Sequence, residues 1–151
     1  MKEQLLISDT ISEKMKAIFL LKITANWLES VGNELLKKYQ ITIQQYNILR
    51  ILRGAGEAIT VQTVKERMIE RSPNTTRLMD KLIAKKLIDR TRCENDRRVV
   101  YVKINKNGLS LLNKIPIENY EKHLDILKEE EIQTINQILF KLIKKHENNT
   151  V

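Results

Sequence analysis

Apolar positions in the first forty residues recur with a helical period. Ile11, Met15, Ile18, Leu21, Ala25, Leu28 and Leu35 fall on one stripe, which predicts a long helix over about residues 8 to 38. Leu20, Ile23, Trp27 and Val31 make a second apolar set on the adjoining face. One stripe suffices for a helix that packs on a single core, so the second face asks for a further partner. That partner is either another helix of this chain or a second subunit.

Local start and stop signals divide the rest of the chain. Thr42-Ile43-Gln44-Gln45 has the form of a capping box and opens a short helix through Tyr46, Leu49 and Leu52, stopped at Gly54-Ala55-Gly56. Glu57-Ala58-Ile59 allows only a stub of strand, after which Thr60 caps a helix of about two turns, Val61 to Met68. Ser72-Pro73 puts a capping hydroxyl before a proline at the first helical position, where its missing N–H costs nothing. That helix is expected to reach about Lys86, with Leu78, Leu82 and Ile83 turned inward.

From Leu87 the period falls to two. Val100, Val102 and Ile104 alternate after the charged knot Glu94-Asn95-Asp96-Arg97-Arg98, which predicts a two-stranded hairpin with a basic tip. Asn105 caps a helix over about 106 to 126 that carries Leu109, Leu112, Ile115, Tyr120 and Leu124, and Pro116 within it predicts a kink or a break. The last helix begins near Lys128. Ile132, Ile135, Leu139 and Leu142 form its stripe, and Ile138 and Ile143 widen it beyond the need of a lone surface helix.

The resulting fold class is mainly α, an α+β arrangement of six helices and a small β-hairpin. No repeat, linker or low-complexity tract interrupts the 151 residues, so one domain with its own core is expected. The longest purely apolar run, Ala17 to Leu21, is far too short to span a bilayer. The opening MKEQLLISD lacks the pattern of a secretory signal, and Cys93 is the only cysteine, so a cytoplasmic protein with no membrane association is expected.

Charge sharpens this picture through its placement. Residues 50 to 103 hold 14 Lys/Arg against 7 Asp/Glu, an excess of seven, while the flanks hold 13 against 12. Nearly all of the net charge of +8 therefore lies in the middle third, where an anionic partner would be met. Two short helices, the second basic and proline-capped, followed by a hairpin with a basic tip, are the layout of a winged helix-turn-helix. A helix fits the DNA major groove, where Asn74 can pair with adenine and Arg77 with guanine, while Thr75 and Thr76 can bond phosphate or touch a thymine methyl. Arginines at a hairpin tip can enter a minor groove. Asp96, two residues from Arg98, can hold that guanidinium by a bidentate pair and aim it; the alternative is a turn-forming Asn-Asp.

From about Ile41 onward the chain resembles the MarR family of bacterial transcriptional regulators. The resemblance rests on ITIQQYNILRIL, on SPNTTRLMDKLIAKKLIDR and above all on DRRVVYVKINKNG. Asp96-Arg97-Arg98 matches the family's Asp-x-Arg wing motif, and Ile104-Asn105-Lys106-Asn107-Gly108 is a variant of the Leu-Thr-x-x-Gly that comes after it. The resemblance implies a DNA-binding part over about 41–104 and a helical dimerisation part from about 8–38 and 106–147. It implies a homodimer, a repressor rather than an activator, whose two recognition helices enter successive major grooves of a pseudo-palindrome. Ser72, Asn74, Thr75, Thr76 and Arg77 would be groove or phosphate contacts and Lys81 a phosphate contact, with Asp96 and Arg98 the wing pair and Arg97 a backbone contact. Many relatives answer to a small aromatic or anionic effector, for which Trp27, Tyr39 and Tyr46 are candidate pocket residues, although aromatics at helical spacing also serve as core or interface.

Three departures from the family pattern carry expectations. Lys86 stands where a glycine usually ends the recognition helix in a left-handed turn, so a different ending is expected. Lys128 replaces the usual Ser/Thr cap of the last helix. The first helix lacks the reactive cysteine of peroxide-sensing relatives, and Cys93 beside the wing reads as a small strand residue rather than a redox switch. His123 and His146 show no ligand spacing, so no metal and no cofactor are expected. No catalytic constellation is present, which leaves a winged-helix module for protein–protein assembly as the rival to DNA binding.

Overall fold

The computed structural model describes residues 11–69, 74–96 and 98–148. Among them run α1 (Glu13–Lys37), α2 (Ile43–Ala55), β1 (Ile59–Thr60), α3 (Val61–Arg67), α4 (Thr75–Ala84), β2 (Ile88–Arg92), β3 (Val100–Ile104), α5 (Lys106–Lys114), α6 (Glu118–Glu121), a 3₁₀ turn (Lys122–Leu124) and α7 (Glu129–Asn148). The chain forms two compact units, Met1–Ile115 and Pro116–Val151.

In the first unit α2 is the element on which α1, α3, α4, α5 and β3 all pack. Its start is the capping box expected from Thr42 and Gln45: the Gln45 N–H donates to Thr42 Oγ1 and the Thr42 N–H to Gln45 Oε1, both at 3.2 Å. Asn33 of α1 adds an outside cap, its Oδ1 accepting from the Ile43 N–H at 2.9 Å. Tyr46, Ile48, Leu49 and Leu52 line the buried side of α2 and meet Val64, Met79, Leu82 and Val102 in the core. Gly56, with φ of 70°, closes the helix in the left-handed conformation that glycine adopts without a Cβ penalty.

The sheet has the order β1-β3-β2, all antiparallel, so the expected stub of strand becomes the third member beside the hairpin. Ile88 faces Ile104 and Arg90 faces Val102 across β2 and β3. The alternation in β3 puts Val102 and Ile104 into the core and leaves Lys103 exposed.

The end of α4 corrects one expectation. Lys86 occupies the left-handed region at φ 55°, so the turn usually made by glycine is made here by lysine. Its N–H donates to Ile83 O at 2.8 Å and the Leu87 N–H to Leu82 O at 3.0 Å, the paired bonds of a Schellman ending. Leu82 and Leu87 are both buried, which supplies the apolar contact that accompanies such an ending. The helix keeps this geometry because the neighbouring turn is bonded in place by Asn105. The Asn105 Nδ2 donates to Lys86 O at 3.0 Å and to Asp89 Oδ1 at 3.1 Å. Its Oδ1 accepts from the N–H groups of Asn107 and Gly108, at 3.0 and 3.1 Å, and so caps α5. All four hydrogen-bonding positions of one amide are used at this junction.

The helix expected over about 106 to 126 is broken rather than kinked. Pro116 offers no N–H and forces its predecessor out of helical geometry, and Ile115 is extended at ψ 116°. The chain therefore has seven described helices in place of the expected six, the extra one being the short α6. In the second unit α7 starts after Lys128, whose N–H donates to Glu131 Oε2 at 2.8 Å, half of a capping box achieved without a Ser or Thr. Glu129, Glu130 and Glu131 complement the helix dipole there.

Apolar side chains remain at the surface in each unit. On α1 only Gly32 and Leu36 are buried, whereas Met15, Ile18, Phe19, Leu20 and Leu21 are exposed. On α7 Ile135, Ile138, Phe140, Leu142 and Ile143 are exposed, Phe140 by 67%. No helix among the described residues is long and apolar enough to cross a membrane.

Candidate nucleic-acid interface

The rotation of α4 decides which of its side chains can serve a partner. Thr75, Met79 and Leu82 are buried, a stripe at spacings of four and three that turns into the core of the first unit. Thr75 is only 1% exposed, so it is a packing position and not the groove contact expected of it. Leu78 and Ile83, expected to face inward with Leu82, are half-buried flanks of this stripe. Asn74, Arg77 and Lys81 are exposed. Thr76 is half-buried on a flank, one turn before the exposed Asp80. Ser72 and Pro73, the expected cap and first helical residue, lie outside the described residues, as does Arg97 of the wing.

The wing continues past its strands. The Cys93 N–H donates to Val99 O at 3.0 Å, and the Val99 N–H donates to Asp96 O at 2.9 Å, which ties Asp96 to Val99 at the tip. Asp96 Oδ1 accepts from the backbone N–H of Arg98 at 2.9 Å. The expected bidentate pair between the Asp96 carboxylate and the Arg98 guanidinium is absent from the ion pairs among the described residues. The physical reason is reach. A carboxylate on one methylene meets the N–H two residues ahead without strain, and doing so fixes the turn. Asp96 thus orders the main chain that carries Arg98 and leaves the guanidinium uncommitted to it.

An ionic pair between α4 and the wing does exist, one strand earlier. Arg90 Nη1 of β2 donates to Asp80 Oδ1 of α4 at 3.1 Å. Neither residue stood out in the sequence. Their only signal was that Asp80 lies one turn beyond Thr76 and that Arg90 alternates with Arg92 on a strand next to the basic tip. Beside this pair, a cleft of about 440 Å³ lies between α3, the flank of α4 and the base of the wing, with Lys65, Thr76, Arg90 and Arg98 among its walls.

The candidate effector residues are not assembled in this way. Tyr46 is in the core, Tyr39 donates its hydroxyl to Lys114 O at 2.8 Å, and Trp27 is exposed on α1. A second cavity of about 640 Å³, beside the C-terminal half of α1, is lined by other residues, Asn33, Glu34, Lys37 and Thr42 among them. No cluster of His, Cys, Asp and Glu suited to a metal ion occurs among the described residues.

Comparison with known proteins agrees with this arrangement. Residues 30–115 match the family described as Transcriptional regulator SarA/Rot. The HTH-type transcriptional regulator PecS of Dickeya dadantii is 30% identical over 139 residues, covering 89% of this chain and 83% of that protein. The crystal structure of a MarR variant from E. coli complexed with operator DNA is similar with a TM-score of 0.78 and 25% identity, covering 89% of this chain and 99% of that one. The S. aureus MepR–DNA complex shares the fold, with a TM-score of 0.75 at 20% identity over 89% of this chain and 98% of that one. The matched family and these relatives are regulators of transcription rather than enzymes. With a basic two-helix element, a hairpin wing built on a three-stranded sheet and this set of relatives, the chain belongs to the MarR family of winged helix-turn-helix transcriptional regulators.

Proposed function

We propose that the protein is a sequence-specific repressor that binds double-stranded DNA as a homodimer on a pseudo-palindromic operator in the cytoplasm. The observation that carries this reading is the exposed row of Asn74, at the N-cap of α4, with Arg77 and Lys81 on the helix, flanked by the wing that bears Arg98. A helix with amide and guanidinium groups outward suits base edges in a major groove, and a basic hairpin beside it suits the neighbouring minor groove. Residues of about 41–104 form the DNA-binding part. The exposed apolar faces of α1 and α7 support dimerisation through about 8–38 and 106–147, since faces of that extent on a soluble protein mark association surfaces. Two relatives are known in complexes with DNA, one of them with operator DNA.

Selection of bound duplexes from a random pool tests the reading directly. Recovery of an inverted repeat, with half-sites about one helical turn apart, is the expected result. Enrichment of no sequence, together with duplex binding that is indifferent to salt, would favour a protein–protein assembly module instead. Release by a small aromatic or anionic effector completes the proposal. Its test is titration of small aromatic carboxylates against the bound duplex, with dissociation as the expected outcome.

A further inference from the structure

The cleft between α3 and the wing contains residues that neither groove contact explains. Three of its side chains are cationic, Lys65 from α3, Arg90 from β2 and Arg98 from the wing turn, and Thr76 adds a hydroxyl from α4. No carboxylate is among its lining residues. Three acids outside it are bonded to its lining residues: Asp80 accepts from Arg90 at 3.1 Å, Glu66 accepts from Gln62 at 2.9 Å and Asp96 accepts from the backbone N–H of Arg98 at 2.9 Å. The Asp80 bond occupies Nη1 of the guanidinium, and a guanidinium has five donors, so Arg90 is oriented while most of its donors stay available. A volume of about 440 Å³ is ample for a phosphodiester with its sugar.

Position identifies what enters. When α4 occupies a major groove and the wing the adjacent minor groove, the two grooves are separated by one sugar–phosphate strand. The cleft lies between Thr76 of α4 and Arg98 of the wing, where that strand has to pass. We propose that this cleft seats a backbone phosphate of the bound duplex, with Lys65 and Arg90 as its ligands and Asp80 as the residue that positions Arg90. This inference rests on the DNA-binding reading and adds α3 and β2 to the footprint.

The test uses the full-length protein and two duplexes, one carrying the selected inverted repeat and one scrambled, each titrated over a range of salt. Lys65→Gln and Arg90→Gln are each expected to flatten the dependence of log affinity on log salt by about 0.9 and to weaken both duplexes by the same factor. Asp80→Asn is expected to weaken both duplexes with the salt slope kept, because no cation is removed. Arg90→Gln also loses the ion pair to Asp80, so its melting temperature is measured in parallel. Lys65→Gln, which breaks no ion pair among those described, keeps the test decisive if Arg90→Gln melts early. Unchanged salt slopes in both glutamine variants, or losses confined to the selected duplex, overturn the proposal. So does inorganic phosphate that raises the wild-type melting temperature in a manner abolished by Lys65→Gln while duplex slopes stay the same, since the cleft would then be a free-anion site. If the wild type itself binds neither duplex in a salt-dependent way, the DNA-binding reading fails. If the wild type binds steeply and only the variant slopes stay put, the cleft assignment alone fails.

Discussion

Gly108 offers a prediction whose sign is set by the tertiary structure. It is the third residue of α5, where an alanine ordinarily favours the helix by about 1 kcal/mol over glycine. A Cβ at this position, however, would overlap the Leu87 carbonyl oxygen and lie 2.7 Å from Ile104 Cγ1. The Ile104 side chain can turn aside, but the Leu87 carbonyl has little freedom. It accepts from the Asn105 N–H at 3.2 Å and comes directly after Lys86, whose left-handed turn ends α4. Overpacking of this kind costs about 1–3 kcal/mol, and displacing the carbonyl forfeits a hydrogen bond worth about 1 kcal/mol. Against the propensity gain of about 1 kcal/mol, Gly108→Ala should destabilise by a net of about 1–3 kcal/mol. In a chain of this size that lowers the melting temperature by roughly 2–12 °C. Gly54 is the internal control, because it lies within α2 and a Cβ there meets nothing within 4 Å. Gly54→Ala should stabilise by about 0.4–1 kcal/mol. Both variants are melted in urea and by heat at one fixed protein concentration, since any self-association makes stability concentration-dependent. If Gly108→Ala proves as stable as Gly54→Ala, the close approach of α5 to Leu87 is refuted.

The same geometry sets further expectations. Asn105→Ala removes the α5 cap and two donor bonds, and is expected to cost about 2–3 kcal/mol, with Asn105→Ser recovering the cap share of about 1 kcal/mol, as read by urea midpoint. Lys86→Gly should raise stability by about 0.5–1 kcal/mol, the relief of left-handed backbone less the extra entropy of unfolded glycine; a loss would mean that the turn is held by the lysine side chain itself. Asp96→Asn keeps an acceptor for the Arg98 N–H and should bind duplex DNA like the wild type, whereas Asp96→Ala should bind more weakly; equal losses in both would restore the ion-pair role. Arg77→Ala should cost about 1–3 kcal/mol in binding and relax preference at one base position in a competition assay, while a uniform loss on all sequences would make it a phosphate contact.

Much of the architecture could be read along the chain because its signals act over four residues or fewer. The Thr42–Gln45 box, the Thr60 and Asn105 caps, the stop at Gly56 and the interruption at Pro116 each depend on a neighbour's N–H, carbonyl or ring, and each stands in the structure at its predicted place. The alternation of Val102 and Ile104 around the exposed Lys103 and the presence of a second apolar face on α1 and a widened one on α7 were equally legible from period; that these faces are exposed on this chain came only from the structure. The features that stayed hidden depended on rotation and on pairs distant in sequence. A helix turns by about 100° per residue, so a small shift in the inward direction exchanges Leu78 for Thr75 and removes a supposed DNA contact from the surface. The partner of Arg90 lies ten residues away, and the amide that stabilises the turn at Lys86 lies nineteen residues away. The two-residue spacing predicted a bidentate pair from Asp96 to the Arg98 guanidinium, but only the fold shows that Asp96 serves the backbone N–H of Arg98 instead. The order of elements and the basic character of the face they build are thus written locally along the chain. Tertiary packing sets which cations line the cleft, which acids orient or border them, and which helix residues are spent on the core, because each of these depends on groups that meet only when distant segments are folded together.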